Sequence, residues 1–265
     1  MSNTKERPII LTAQEVAAMR DRKKLQHRMP LEPQPYLDSQ GHWTWESKGV
    51  HICVRFATVR PFLDAMRRRA IGSKAAPFKV GDIMWAQEEH RPISWAFEDG
   101  EVTIEYRDGY ATSHHYLTEE EMETNPNDNY PFAVVEELLA RNVPIMEDKD
   151  RFDFSNPENL PHWRSAEEMP RFACRSFSEI TSVRIQRIQD ISEVEALASG
   201  LLIQSCEQGS QWFLNPASRM KTNVFHRDEW RSAFSVYWDS LHGVGAWDRN
   251  DWVWVYDLKK ANTYE

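Results

Sequence analysis

The chain has 265 residues, 41% of them apolar and 28% charged, which supports a buried core and excludes a wholly disordered chain. The formal charge is −9, yet residues 98–160 hold 17 Asp and Glu against 4 Lys and Arg, a local charge of −13 that leaves +4 for the rest. The field near a site is set locally, so the global charge does not exclude a polyanionic ligand.

Pro8-Ile9-Ile10-Leu11 reads as a strand leading into a helix from about Ala13 to Lys23. Thr12 and Glu15 stand at the spacing at which each side chain satisfies the other's free backbone N–H. Arg20, Arg22, Lys23 and Lys24 make the helix end basic, which suits its dipole. Pro30, Pro33 and Pro35 then force an extended path. A strand is expected from Val50, and Arg67-Arg68-Arg69 falls on a loop or a helix end. Gly81-Asp82 supplies a turn into a strand with Ile83, Trp85 and Gln87 on one face and Met84, Ala86 and Glu88 on the other. Glu88 is thus an acid on an otherwise apolar face.

The acidic stretch 98–160 differs in composition from its flanks. It contains a predicted hairpin with Val102–Tyr106 as its first strand and Arg107–Tyr110 as its turn, and then a Glu119-Glu120-Glu121 run. It reads as a solvated, charged insertion within one domain spanning 1–265. Glu179 to Ile188 alternates as a strand. Ser192 and Glu195 repeat the capping spacing, and Gly200 stops a short helix over 193–199. Trp230, Phe234, Trp238 and Leu241 form the stripe of an amphipathic helix ending at Gly243. Trp252–Leu258, apolar on both faces, is a central strand closing a small sheet or barrel. Most of the 11 tryptophans are expected in the core.

Several site types lack a starting point. There is no GxGxxG, P-loop, GxSxG or HExxH pattern. Cys53, Cys174 and Cys206 lie too far apart for a disulfide framework or a CxxC zinc site, and adjacent His114 and His115 point to opposite faces of a strand. No metal and no cofactor is expected. No window approaches about 18 apolar residues and the N-terminus lacks a signal core, so the expected location is a reducing cytoplasm, with no membrane partner.

Four stretches in order resemble the ASCH family of the PUA-like superfamily, often encoded by bacteriophages. They are Arg7–Leu11 with Lys24-Leu25-Gln26-His27-Arg28; Val80–Trp85; Met169–Arg175 with Ile188–Ser192; and Tyr237–Gly243 followed by Trp252–Val255. The resemblance covers most of the chain except the acidic stretch. It implies an α+β fold, a small twisted β-barrel flanked by helices, beside which a cleft accepts RNA or a nucleoside. For a phage protein it also implies the host cytoplasm. Some members hydrolyse the acyl amide of N4-acetylcytidine with a Lys and a Thr from a Lys-Thr-x-Thr stretch and a later Glu. Carried over, these fall on Lys24, His27 and Ser199, so only the lysine is kept.

The leading expectation is therefore a nucleotide- or RNA-binding module, suited to modified bases. Lys24, Arg28, Arg171 and Arg175 would contact phosphates or base edges, Gln26 would read a base edge, and Trp85 or Trp247 would stack on it. The alternative is an amidohydrolase acting on N4-acetylcytidine or a related nucleoside. Lys24 would polarise the carbonyl, His27 would act as base, and Glu88 would replace the missing carboxylate. A third reading gives the acidic insertion a protein-binding role as a polyanion mimic. Both leading readings need Lys24, His27, Glu88, Arg171 and Arg175 around one hollow.

Overall fold

A computed structural model describes residues 4–55, 58–96, 100–107, 113–116, 130–143, 146–148, 151–154, 158, 160–206, 209–213, 224–226 and 229–261. The chain is mixed α+β, with five α-helices and four sheets among these residues. It divides into two compact units. The first comprises 1–7, 18–84 and 177–265, and the second comprises 8–17 and 85–176.

The first unit is organised by its last strand. β16 (Trp252–Lys260) pairs antiparallel with β12 (Phe177–Arg187) on one side and with β2 (Gln26–Pro30) on the other, the central place that its two-sided apolar pattern predicts. The full order of this sheet is β1-β6-β12-β16-β2. β1 (Glu6–Ile10) and β6 (Ile83–Gln87) belong to the first unit only through Glu6–Arg7 and Ile83–Met84.

Alternation along β16 separates two cores. Val253 and Val255 face the cluster of Ile188, Ala196, Phe234, Tyr237 and Trp238, which comes largely from α4 (Glu193–Ala198) and α5 (Trp230–His242). On the other face Trp252 meets Trp43 edge to face at 5.9 Å, Trp254 meets Trp45, and Tyr256 meets Phe78. Trp43 and Trp45 lie on β4 (Trp43–Ser47), which joins β3 (Tyr36–Leu37) and β5 (Val50–Val54) in a three-stranded sheet. α2 (Val59–Arg69) contributes Phe62 and Met66, with Arg67–Arg69 in its last turn. Another small sheet holds β13 (Leu202–Cys206), β14 (Gly209–Phe213) and β15 (Val224–His226).

Both expected caps are present. Thr12 N–H donates to Glu15 Oε2 at 3.1 Å and Glu15 N–H to Thr12 Oγ1 at 3.2 Å. They start α1 (Ala13–Arg20), which ends three residues short of the expected Lys23. The chain turns at Arg22, whose φ is +59°, and the Lys23 and Lys24 N–H groups both reach back to the Ala18 carbonyl. Closing the end this way satisfies orphan carbonyls that a longer helix would leave open. The Ser192–Glu195 box starts α4 as expected.

The second unit carries a five-stranded sheet ordered β10-β11-β7-β8-β9. β7 (His90–Ala96) pairs with β8 (Glu101–Tyr106) and with β11 (Arg151–Asp153); β8 pairs in turn with β9 (Ser113–Tyr116), and β11 with β10 (Met146–Asp148). The acidic stretch supplies four of these strands and α3 (Tyr130–Ala140). Val102, Ile104, Tyr106, Val134, Leu138 and Phe154 from it are buried. This corrects the reading of 98–160 as a solvated lobe: its acids sit between apolar positions that build a core. The turn residues 108–110 and the Glu119–Glu121 run lie outside the described residues.

Candidate functional site

In the first unit the pairing of β2 with β16 sorts the early basic segment onto two faces. Gln26 opposes Asp257 and Arg28 opposes Val255, while His27 opposes Tyr256. Side chains alternate along a strand, so Gln26 and Arg28 share the face that meets α4, and His27 lies on the other face with Tyr256. β12 adds Arg184, paired with Val255, to the Gln26 and Arg28 face.

A continuous polar band results. Gln26 Nε2 donates to Asp257 Oδ1 at 2.7 Å, and Arg184 Nη1 donates to both Asp257 oxygens at 2.9 and 2.8 Å. Arg184 Nη2 donates to Glu195 Oε1 at 2.5 Å, and Arg28 Nη2 stands 3.6 Å from the same oxygen. Arg28 Nη1 donates to Ser199 Oγ and, at 3.5 Å, to the Glu195 carbonyl. Lys24 Nζ donates to the Ser199 carbonyl at 3.0 Å. The last carbonyls of a short helix, those of Glu195 and Ser199, thus draw in two cations. Gly200 follows at φ +104°, where an added Cβ would stand 3.6 Å from Ala18 Cβ and 3.9 Å from the Lys24 stem.

The electrostatics are those of a compensated network. Burial pushes the Arg28 guanidinium down to about 10, against the opposing charge of Glu195, so it remains a cation at neutral pH. Burial would raise the Glu195 carboxyl, but hydrogen bonds from the Ser192 backbone and Arg184, with the charge of Arg28, hold it below the usual carboxylate range. Burial would lower Arg184, and its bonds to Asp257 and Glu195 outweigh that and raise it. Arg28 is buried, and its Nε and Nη2 make no hydrogen bond among the described residues. Buried N–H donors without acceptors each cost about 1–3 kcal/mol, so these two nitrogens, out of contact with solvent, are an unmet cost within the network.

The remaining expected residues lie in the second unit. Arg175 and Glu88 form a buried bidentate pair, with Nε donating to Oε1 at 2.8 Å and Nη2 to Oε2 at 2.7 Å. The Arg175 guanidinium also stacks 3.8 Å over the Tyr106 ring, whose hydroxyl donates to the Ala173 carbonyl at 2.6 Å. Arg171 opens a single 3-10 turn, Arg171–Ala173.

His27 opposes Tyr256 and so lies on the other face of β2 from Arg28. Glu88 gives both of its oxygens to Arg175 within the second unit. The aromatic candidates are not open platforms either. Trp85 is buried at 8% exposure, and Trp247 is half-buried with its ring against Phe234.

Sequence reasoning passed over Arg184, Glu195 and Asp257. Asp257 had a signal, since a carboxylate interrupting the apolar run Trp252–Leu258 needs a partner in a central strand. Glu195 was visible only as a cap, and its second role on Arg184 and Arg28 comes from tertiary placement. No protein-family model, curated protein or solved structure matches this chain.

Proposed function

We propose that the band formed by Lys24, Gln26, Arg28, Arg184, Glu195, Ser199 and Asp257 binds a nucleotide or an exposed RNA base, and that the first unit is a PUA-like binding module of the ASCH type. The observation that carries this reading is Arg28: a buried guanidinium, kept charged by Glu195, whose Nε and Nη2 lack hydrogen-bond acceptors among the described residues. Carbonyl and ring-nitrogen acceptors on a base edge, or phosphate oxygens, suit such donors. Gln26 adds a buried carbonyl, Oε1, that is also without a donor among the described residues, so the band holds both donors and an acceptor that its own contacts leave unmatched and that a ligand would reach by a side-chain movement. The three-stranded β12-β16-β2 core would be the part of the sheet corresponding to the barrel wall.

Lys24 and Ser199, the two positions that the resemblance aligns with a catalytic lysine and glutamate, meet through the Ser199 carbonyl. That contact supports the placement of the site. It does not favour amide hydrolysis, because position 199 offers no carboxylate and His27 faces the other core. Binding without turnover is the better-supported reading.

The test is fluorescence anisotropy of the full chain with labelled single-stranded RNA, with cytidine and N4-acetylcytidine nucleotides as competitors. Charge-assisted hydrogen bonds are worth about 1.5–3 kcal/mol, so Arg28→Met should weaken binding about 10- to 150-fold. Gln26→Ala, at a half-buried position, serves if Arg28→Met fails to fold. Lys24, Arg28 and Arg184 face two carboxylates, a residual charge of +1, so the logarithmic salt slope should be about −0.7, that of one phosphate contact. Absence of saturable binding, or binding indifferent to both variants, refutes the assignment.

A further inference from the structure

The first unit carries a second cluster of chemically competent side chains, away from the polar band in sequence and on a different sheet. Asp38, His42 and Cys53 bring one carboxylate oxygen, one ring nitrogen and one sulfur within 4.8 Å of one another. The register of β3, β4 and β5 explains the convergence. Asp38 follows β3 and its N–H donates to the His42 carbonyl at 2.9 Å, which sets the two residues across the mouth of the turn. His42 and Thr44 fall on one face of the strand, two residues apart, and Thr44 pairs directly with Cys53 on β5. Thr44 Oγ1 donates to Cys53 Sγ at 3.9 Å, which confirms that the sulfur lies on this face.

The turn itself prepares the carboxylate. Asp38 Oδ1 accepts the backbone N–H groups of Gln40 at 2.9 Å and His42 at 2.8 Å. Oδ2 is left to face His42 Nδ1 at 3.3 Å. A tetrahedral zinc ion with bonds of about 2.0 Å to oxygen and nitrogen separates these two donors by about 3.3 Å, and needs sulfur about 3.6 Å from each. The sulfur, within 4.8 Å of both, is at most about 1.2 Å from its place, a displacement that rotation of an exposed side chain supplies. The Asp38–His42 contact accounts for two members of the cluster, and the β4–β5 register brings the third to them.

We infer that Asp38 Oδ2, a His42 ring nitrogen and Cys53 Sγ form a binding site for a zinc-class divalent cation, with water in the fourth position. The ion would tie the turn between β3 and β4 to β5. Binding replaces the thiol S–H by a metal–thiolate bond and releases that proton to solvent, with no change of oxidation state, so it strengthens as pH rises. No sequence pattern announces the cluster, because Asp38-x3-His42-x10-Cys53 has no paired-ligand spacing and only the strand register joins its members.

The test uses the full chain, reduced and metal-stripped, titrated with Co2+ under anaerobic conditions and then with Zn2+ in competition. One Co2+ per chain should bind with a thiolate-to-cobalt absorption band, and one Zn2+ should displace it. Cys53→Ser should abolish the band, and Asp38→Asn and His42→Ala should each weaken binding at least about tenfold. Cys174→Ser and Cys206→Ser should leave the band intact; burial pushes the Cys174 thiol up to about 12, which makes it a poor ligand. Zn2+ should also slow modification of Cys53 by a thiol reagent. The proposal is overturned if no band forms, if the band survives Cys53→Ser, or if half-saturation needs more than about 1 mM metal. Cys53→Ser alters an exposed side chain, so it remains informative if His42→Ala does not fold.

Discussion

Glu88 and Arg175 looked like site residues and instead hold each other, so removing one of them should be a stability experiment. Glu88 is 1% exposed and the Arg175 side chain 8%, with two hydrogen bonds of 2.8 and 2.7 Å between them. In Glu88→Gln the new amide NH2 faces an arginine N–H, donor against donor, and the guanidinium over Tyr106 loses its counter-charge. Breaking a buried pair on one side costs about 3–5 kcal/mol, whereas replacing both partners by well-packed apolar groups is neutral or stabilising by about 1–4 kcal/mol. Hydrogen exchange read by mass spectrometry on Glu101–Tyr106 isolates the second unit from the first. Through global opening of this unit, Glu88→Gln should speed exchange there by about 150- to 5,000-fold, with Glu88→Gln/Arg175→Met partly restored. A change below about fivefold, or a loss of RNA affinity with unchanged exchange, would refute the structural role and return Glu88 to the site.

Protonation of His90 should weaken the second unit. Burial, opposed by the bond of its ring Nδ1 with the Glu88 carbonyl at 3.0 Å, lowers His90 from 6.5 to about 4. The unfolded chain therefore binds the proton first as pH falls through 6.5, so the contribution is intact above that value and is lost on the way down to 4. Between pH 7 and 5 the loss is about 2 kcal/mol, and the difference between wild type and His90→Gln in urea midpoints at the two pH values measures it. An equal pH dependence in both proteins would rule the histidine out. Gly200→Ala should cost about 1–2 kcal/mol, because φ +104° strains any L side chain and the new methyl meets Ala18 Cβ at 3.6 Å. Its effect on RNA affinity should exceed that of Gly41→Ala, a glycine with φ +77° and open space around it. Ser192→Ala removes the acceptor of the Glu195 N–H and should destabilise α4 by about 1 kcal/mol in thermal melts.

The elements were legible wherever a local pattern carried its own reason. Thr12 with Glu15 and Ser192 with Glu195 announced two helix starts, and Trp252–Leu258 announced a central strand because only a position flanked on both sides tolerates apolar residues on both faces. Residues 98–160 misled because a net charge of −13 conceals Val102, Ile104, Val134 and Leu138, which alternate with the acids and face inward. For the site, the sequence supplied Lys24, Gln26 and Arg28 but not their company. Arg184 and Asp257 lie 73 residues apart in sequence and are joined only by the β12–β16 register. His27 was assigned by the position it takes in the resemblance, and a strand sends neighbours to opposite faces, so next to Arg28 in sequence it lies in the other core.

The company that Arg28 keeps changes what kind of recognition the band can perform. A cluster of uncompensated arginines attracts any polyanion through its field and releases counterions on binding. Here Glu195 and Asp257 cancel most of that field and fix each guanidinium in direction, since Arg184 is bonded at both ends and Arg28 is bonded through Nη1. Donors fixed in this way discriminate by hydrogen-bond geometry, and a ligand that does not offer acceptors at the right positions gains little from its charge alone. In the proposed site the same carboxylates that weaken long-range attraction would supply selectivity at short range. A single base or nucleotide fits that balance better than a tract of RNA backbone, and the −9 net charge of the chain, unhelpful to a backbone binder, costs such a site little.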